Sequence, residues 1–208
     1  SDARGGQILA DITKDRKVKS VAITYTNNDY GKGLADVYAA AVKAHGIKVT
    51  IVSAHEDGKA DYSSEVATLA SAGGDAVAVI GYLDQGGKGI IQGSLDSGAF
   101  DKFILSDGMI GDSLTDAFGK DLNKSFGSMP GSMNKKTAGT FASVAKAAGI
   151  DSSGPYTGES YDAGALIVLA MQAGGSADRA SIAKNVMDVA NGPGTKIYPG
   201  ELKKGLDL

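Results

Sequence analysis

Cysteine is absent from this 208-residue chain. Its absence excludes disulfides, zinc–thiolate and iron–sulfur sites, and cysteine nucleophiles. Histidine is scarce as well: His45 and His55 are the whole complement. Neither stands in an H-E-x-x-H or another ligand spacing, so no metal site is expected. His45 falls in the last turn of a predicted helix, where a partial positive charge suits the dipole. His55 falls in a polar loop, and both read as solvated. No apolar run reaches the roughly 18 residues that a membrane helix needs. No block of basic residues occurs and the net charge is −3, which argues against nucleic acid as a partner. No secretory signal opens the chain. Ser1-Asp2-Ala3-Arg4-Gly5-Gly6 reads like the interior of a longer polypeptide, and the end, Pro199 to Leu208, stops without a clear finish.

Enzyme motifs are missing in an informative way. The segment from Gly81 to Gly87-Lys88-Gly89 resembles a phosphate-binding loop after a strand, but the spacing carries one residue too many. Gly89 also stands where a Ser or Thr would hold magnesium. Gly31-Lys32-Gly33 opens a helix as a dinucleotide fingerprint would, yet Asp36 replaces the third glycine and would put charge beside a pyrophosphate. No G-x-S-x-G elbow occurs, and no two carboxylates are paired at a convincing spacing. The chain is therefore read as a non-enzyme without cofactors.

What is present is glycine, thirty residues of it, together with a regular alternation of patterns. Residues 18–25, 47–53, 75–80 and 102–106 read as apolar strands, and residues 30–45, 62–72 and 87–97 as helices. Residues 7–14 read as a helix end. Gly46 is a stop signal for the helix before it. Such alternation predicts an α/β fold, a doubly wound parallel sheet with helices on both faces. In these sheets a ligand sits beyond the carboxyl ends of the strands, which selects the loops 26–31, 81–84 and 106–109.

Those loops carry Tyr30, Tyr82 and Asp107. Two aromatic hydroxyls and a carboxylate converging on one sheet edge suit a small cationic or zwitterionic ligand. The carboxylate would take an ammonium and the rings would cover it. Taken singly each residue has a plainer role. Tyr30 can be a helix-start residue packing on the sheet, Tyr82 a strand closure, and Asp107-Gly108 a turn pair. Beyond Met129-Pro130 the pattern changes: residues 135–148, 155–173 and 179–190 read as helices with no strand between them. Their apolar faces need a sheet or partner helices for cover.

Several stretches resemble the branched-chain amino acid binding proteins, the periplasmic receptors of Leu/Ile/Val ABC importers. They are Ser1-Asp2-Ala3 leading into a helix, VAITYTNNDYGKGLAD (21–36), DYSSEVATLASAGGDAVAVIGY (61–82), FILSDGM (103–109) with Ser113-Leu114, Phe126 to Pro130, and SSGPYTGESYDAGALIVLA (152–170). The resemblance implies a type I periplasmic-binding-protein fold. Residues 1–130 would form the second ligand-binding lobe, and residues 131–208 a helical return segment of the first lobe, whose sheet would come from a preceding N-terminal segment. Hinge strands would pass near Met129-Pro130 and before Ser1. Tyr30 and Tyr82 match ligand-covering aromatics, Asp107 the acidic residue that receives the α-ammonium, and Tyr156 an aromatic of the returning lobe. Asp107 stands where many relatives carry Glu. The implied function is capture of a branched-chain or similar small amino acid between two lobes and delivery to a membrane permease. The implied location is periplasmic or extracellular, with a lipid anchor in a Gram-positive cell. The alternatives are a ligand-sensing domain of a receptor or regulator with the same fold, and a nucleotide-binding α/β enzyme, which the failed phosphate motifs disfavour.

Overall fold

The computed structural model describes residues 2–131 and 135–208; Ser1, the first residue of the matched opening stretch, lies outside them. The chain divides into two compact units, Ser1–Pro130 and Gly131–Leu208. In the first, the strands are β1 (Ser20–Thr26), β2 (Lys48–His55), β3 (Ala76–Ile80), β4 (Phe103–Leu105) and β5 (Phe126–Gly127). They form one sheet in the order β2-β1-β3-β4-β5, and every pairing is parallel. The helices are α1 (Asp2–Asp15), α2 (Asp29–Ala44), α3 (Ser63–Ala72), α4 (Gly87–Ser97) and α5 (Asp112–Phe118). The doubly wound sheet predicted from sequence is thus observed. Strand β5 and helix α5 are additions; β5 spans only Phe126 and Gly127, too little for a periodic pattern to register.

Alternation of side chains along the strands builds two cores. Val21, Ile23, Ala76, Ala78, Ile80 and Ile104 face the layer of α1 and α2. Their neighbours Ala22, Val77, Val79, Phe103 and Leu105 face the opposite layer, with Leu69, Ile90 and Ile91. Because both faces are covered, the strands read as continuous apolar runs. Helix α2 buries Gly31, Leu34, Ala35, Tyr38, Ala39 and Val42, the i, i+3, i+4 stripe of an amphipathic helix. Its start is set by Asn28, whose side chain accepts from the Gly31 N–H at 2.9 Å, satisfying one of the donors that a helix N-terminus leaves open. Deep in this layer the hydroxyls of Thr13 and Tyr38 lie 3.0 Å apart. Burial pushes the Tyr38 phenol up from its ordinary range.

The second unit contains α6 (Lys135–Ala147), α7 (Thr157–Gly174), α8 (Arg179–Asn191) and α9 (Leu202–Leu206), and no strand among its described residues. Helix α7 packs on α8, where Gly174 passes so close that a Cβ would lie 2.2 Å from Ser181 Oγ. Tyr161 leans on Phe141 with ring centroids 5.5 Å apart and accepts the Gly200 N–H at 3.0 Å. Among its described residues little is enclosed: Ala145 and Ala170 are the buried apolar ones, while Ile167 and Met187 are 47% and 64% exposed.

Glycine at the α2 entrance is demanded by space. A Cβ on Gly31 would stand 2.1 Å from the Thr26 carbonyl oxygen, whereas one on Gly33 would meet nothing within 4 Å. Gly31→Ala is expected to lower stability by roughly 3 kcal/mol or more through forced displacement of the β1–α2 turn. Gly33→Ala, in the same helix, should be neutral or gain up to about 1 kcal/mol. Denaturant melts of the two variants check the contrast; equal effects would refute the steric account.

Candidate functional site

The order β2-β1-β3-β4-β5 reverses direction between β1 and β3, and the crevice outside the carboxyl ends of a sheet at such a point is where ligands bind. The connections after β1, β3 and β4 deliver Tyr30, Tyr82 and Asp107 to that crevice. Tyr30 stands in the first turn of α2 and its hydroxyl donates to Asp107 Oδ1 at 2.7 Å. Tyr82 follows β3 in extended backbone and stacks on Tyr30, with ring centroids 5.3 Å apart and planes inclined by 27°. Burial raises the Tyr30 phenol well above its usual range, and the adjacent Asp107 carboxylate adds to the rise, so the hydroxyl remains a protonated donor at neutral pH. Tyr156 is the remaining candidate. It belongs to the second unit, immediately before α7, and takes a left-handed conformation with φ of 64°, uncommon for a residue other than glycine.

Close approach of two loops shapes the site. A Cβ on Gly108 would fall 2.3 Å from the Gly81 carbonyl oxygen and 3.3 Å from both Tyr30 Oη and Tyr82 Cδ1, so glycine at 108 lets the Asp107 turn close against the Tyr82 turn. Beside Tyr82 opens a cavity of about 660 Å³ whose lining includes Asp57, Asp84, Gln85, Gly108 and Ser113. A volume of this order holds a small organic molecule. The glycines of the failed phosphate motif are occupied with packing instead. Cβ atoms on Gly86 and Gly89 would strike Tyr62, and one on Gly87 would lie 2.2 Å from Met109 Sδ.

Electrostatics separates the two edges of the sheet. The carboxyl edge carries Glu56, Asp57, Asp61, Asp84, Asp107 and Asp112. Its lysines are engaged, Lys59 with Glu65 at 2.5 Å and Lys88 with Asp84 at 2.6 Å. The opposite edge carries Lys17, Lys19, Lys48, Lys102, Lys120 and Lys124, together with Asp75 and Asp101, the latter paired with Lys124. A field of this sign at the crevice attracts cationic groups. No group of three or more His, Cys, Asp or Glu side chains suited to a metal ion occurs among the described residues.

Two features were missed in the sequence. His55 is the last residue of β2, not a loop residue, and only 2% exposed, which corrects the expectation that it is solvated. The apolar residues before it, in KVTIVSA, were the signal that the strand continues. Its Nδ1 lies 2.9 Å from Thr24 Oγ1, while Nε2 is buried without a hydrogen-bond partner among the described residues. Ser106, next to Asp107, is 1% exposed and lies against Tyr30.

Burial lowers the His55 pKa from its ordinary 6.5, against the opposing charges of Asp57, Glu65 and Glu56. The unfolded chain therefore binds a proton at His55 more readily than the folded one does. Stability from the neutral ring is fully present above about pH 6.5 and is lost as pH falls below it. Thermal melts from pH 7.5 to 5 should show the midpoint falling below pH 6.5, and His55→Gln should flatten that fall. An unaltered slope in the variant would refute the assignment.

Comparison with known proteins agrees with this architecture. The Periplasmic binding protein family profile matches residues 2–195. Leu/Ile/Val-binding protein homolog 1 of Brucella melitensis is 29% identical over 180 residues, which is 86% of this chain and 47% of that relative. Among solved structures, a periplasmic binding protein type 1 from Bordetella pertussis superposes with a TM-score of 0.75 at 22% identity, over 97% of this chain and 56% of the other. A leucine binding protein from Thermotoga maritima gives 0.72 at 21%, over 89% and 54%. The chain spans about half the length of these proteins, and the structural likenesses show the fold alone. Matched by the family profile over nearly its whole length, the chain belongs to the periplasmic binding protein family, a family of binding proteins and not of enzymes.

Proposed function

We propose that this chain is part of the substrate-binding component of an ABC importer that captures a branched-chain or similar small amino acid and hands it to a membrane permease. The observation that carries the reading is the cluster of Asp107, Tyr30 and Tyr82 at the switch point of the sheet. A carboxylate whose Oδ1 is held by a phenol is a fixed acceptor for an ammonium group, and a charge-assisted bond there is stronger than a neutral one. The stacked rings supply an aromatic wall that suits both the cation and aliphatic carbons. The acidic character of the whole edge favours an amine over a simple carboxylate ligand. Names of relatives point the same way: the Brucella melitensis relative is called a Leu/Ile/Val-binding protein homolog, and a Pseudomonas aeruginosa relative an amino acid binding protein.

In this reading Ser1–Pro130 is the second ligand-binding lobe and 131–208 the helical return segment of the first, whose strands come from elsewhere in the protein. Exposed apolar side chains on α7 and α8 support that division, since such faces are ordinarily covered by a sheet. Tyr156 is the aromatic assigned to the same ligand from the returning segment. Ligand contacts made only in a closed form would shift the hinge toward closure. The protein works outside the cytoplasm, in the periplasm or, in a Gram-positive cell, on a lipid anchor.

A thermal-shift screen of the protein against the twenty common amino acids, their amides and aromatic acids tests the reading. Leucine-like amino acids should raise the melting temperature, because a ligand that binds only the native state stabilises it. Asp107→Asn, which keeps the side chain's size but removes its charge, should weaken binding about 10- to 100-fold, the scale of a hydrogen bond to a charged group. Tyr82→Ala and Tyr156→Ala should weaken it about tenfold each. Stabilisation by aromatic acids alone, or binding indifferent to Asp107, would overturn the assignment.

A further inference from the structure

Ser106 occupies the N-cap position of the short 3-10 turn Asp107–Met109, yet its hydroxyl makes no capping bond there. Serine at such a position ordinarily satisfies the first free backbone donors of the turn. Here the Oγ turns away: it lies 3.2 Å from Tyr30 Oη and accepts the Gly81 N–H at 3.3 Å. The side chain of β4's end is thereby connected to the end of β3 and to the start of α2, with 1% of its surface exposed.

Hydrogen counting gives the network a direction. Tyr30 has one hydroxyl proton and two oxygens within reach, Asp107 Oδ1 at 2.7 Å and Ser106 Oγ at 3.2 Å. The Asp107 contact is the shorter of the two, so the Tyr30 hydroxyl points mainly at the carboxylate oxygen. Ser106 Oγ is the second, more distant acceptor of that hydroxyl, and it also takes the Gly81 N–H. Ser106 Oγ thus accepts from the Gly81 amide and from Tyr30, whose hydroxyl lies between Ser106 and Asp107. A buried network of hydrogen bonds of this kind holds its members in one geometry.

We infer that Ser106 is a positioning residue of the ligand site, acting through Tyr30 to hold the Asp107 carboxylate and the Tyr30–Tyr82 stack in the geometry that receives an ammonium. The inference rests on the amino-acid-binding reading above. Ser106 itself touches no ligand in this scheme; its hydroxyl orients the phenol that orients the carboxylate. Plain loss of packing predicts a different outcome, because Ser106 also serves Gly81. Removing the hydroxyl leaves the Gly81 amide without that acceptor whether or not Tyr30 has its own hydroxyl.

A double-mutant cycle separates the two roles. Ser106→Ala, Tyr30→Phe and the double variant are compared with the unaltered protein for melting temperature, for tyrosine ring NMR signals, and for affinity toward L-leucine and the other common amino acids by calorimetry. Ser106→Ala should weaken amino acid binding about tenfold, the scale of one hydrogen bond, and move the ring signals of Tyr30 and Tyr82. In the Tyr30→Phe background the same change should alter affinity less than about twofold, since the route to Asp107 is already cut. The melting temperature should fall by a similar amount in both backgrounds. If Ser106→Ala folds poorly, the near-isosteric and weakly hydrogen-bonding Ser106→Cys replaces it in the same cycle. Equal affinity losses in both backgrounds, or binding and ring signals untouched by Ser106→Ala, would overturn the inference alone. Failure of the unaltered protein to bind any amino acid would overturn the functional reading and the inference with it.

Discussion

Because every strand of the sheet points the same way, every connection from strand to helix opens at one edge, and the position of the Tyr30–Tyr82–Asp107 cluster follows from that constraint. Parallel strands buried on both faces have no freedom to offer a side chain to solvent except at their ends. Apart from a few buried groups such as Thr24 and His55, polar chemistry therefore gathers in the loops, and the reversal of strand order between β1 and β3 leaves a crevice among them. Residues far apart in the chain meet there: Tyr30 and Asp107 are 77 positions apart and share a 2.7 Å hydrogen bond. The same loops carry an excess of carboxylates beyond the carboxyl ends of the strands.

Glycine does two distinct kinds of work around the crevice. At Gly31 and Gly108 it allows backbone to approach backbone, within distances that any Cβ would forbid; both contacts set where site residues stand. In the run Gly86, Gly87 and Gly89 it makes room for Tyr62 and Met109. That second use explains why a stretch resembling a phosphate-binding loop occurs without its chemistry. The glycines satisfy a packing demand between α4 and the layer beneath it, so the missing Ser or Thr and the extra residue have no consequence there.

The second unit shows the same physics with a different balance. Helix α7 is apolar on more than one side, and its Ile167 and Val168 are 47% and 37% exposed. A helix of that composition is ordinarily enclosed. Packing of α7 on α8, the Phe141–Tyr161 contact and the bond from the Gly200 amide to Tyr161 cover only part of it. The first unit, by contrast, encloses its apolar residues in two continuous clusters on either side of the sheet.

Local pattern was enough to identify the alternating strands and helices, the doubly wound class, and the strand-end loops that bring Tyr30, Tyr82 and Asp107 together. Those features depend on periodicity and on turn residues, which are properties of neighbouring positions. Tyr30, Tyr82 and Asp107 were legible because they stand directly after strands, where parallel topology leaves no other destination. Tyr156 belongs to the second unit and follows no strand, so strand-end logic said nothing about it and only the family resemblance singled it out. The burial of His55 and the turning of the Ser106 hydroxyl from its own cap toward Tyr30 and Gly81 were decided by tertiary structure alone. Each depends on which side chains other strands and loops bring within hydrogen-bonding distance, and no spacing along a single segment encodes that.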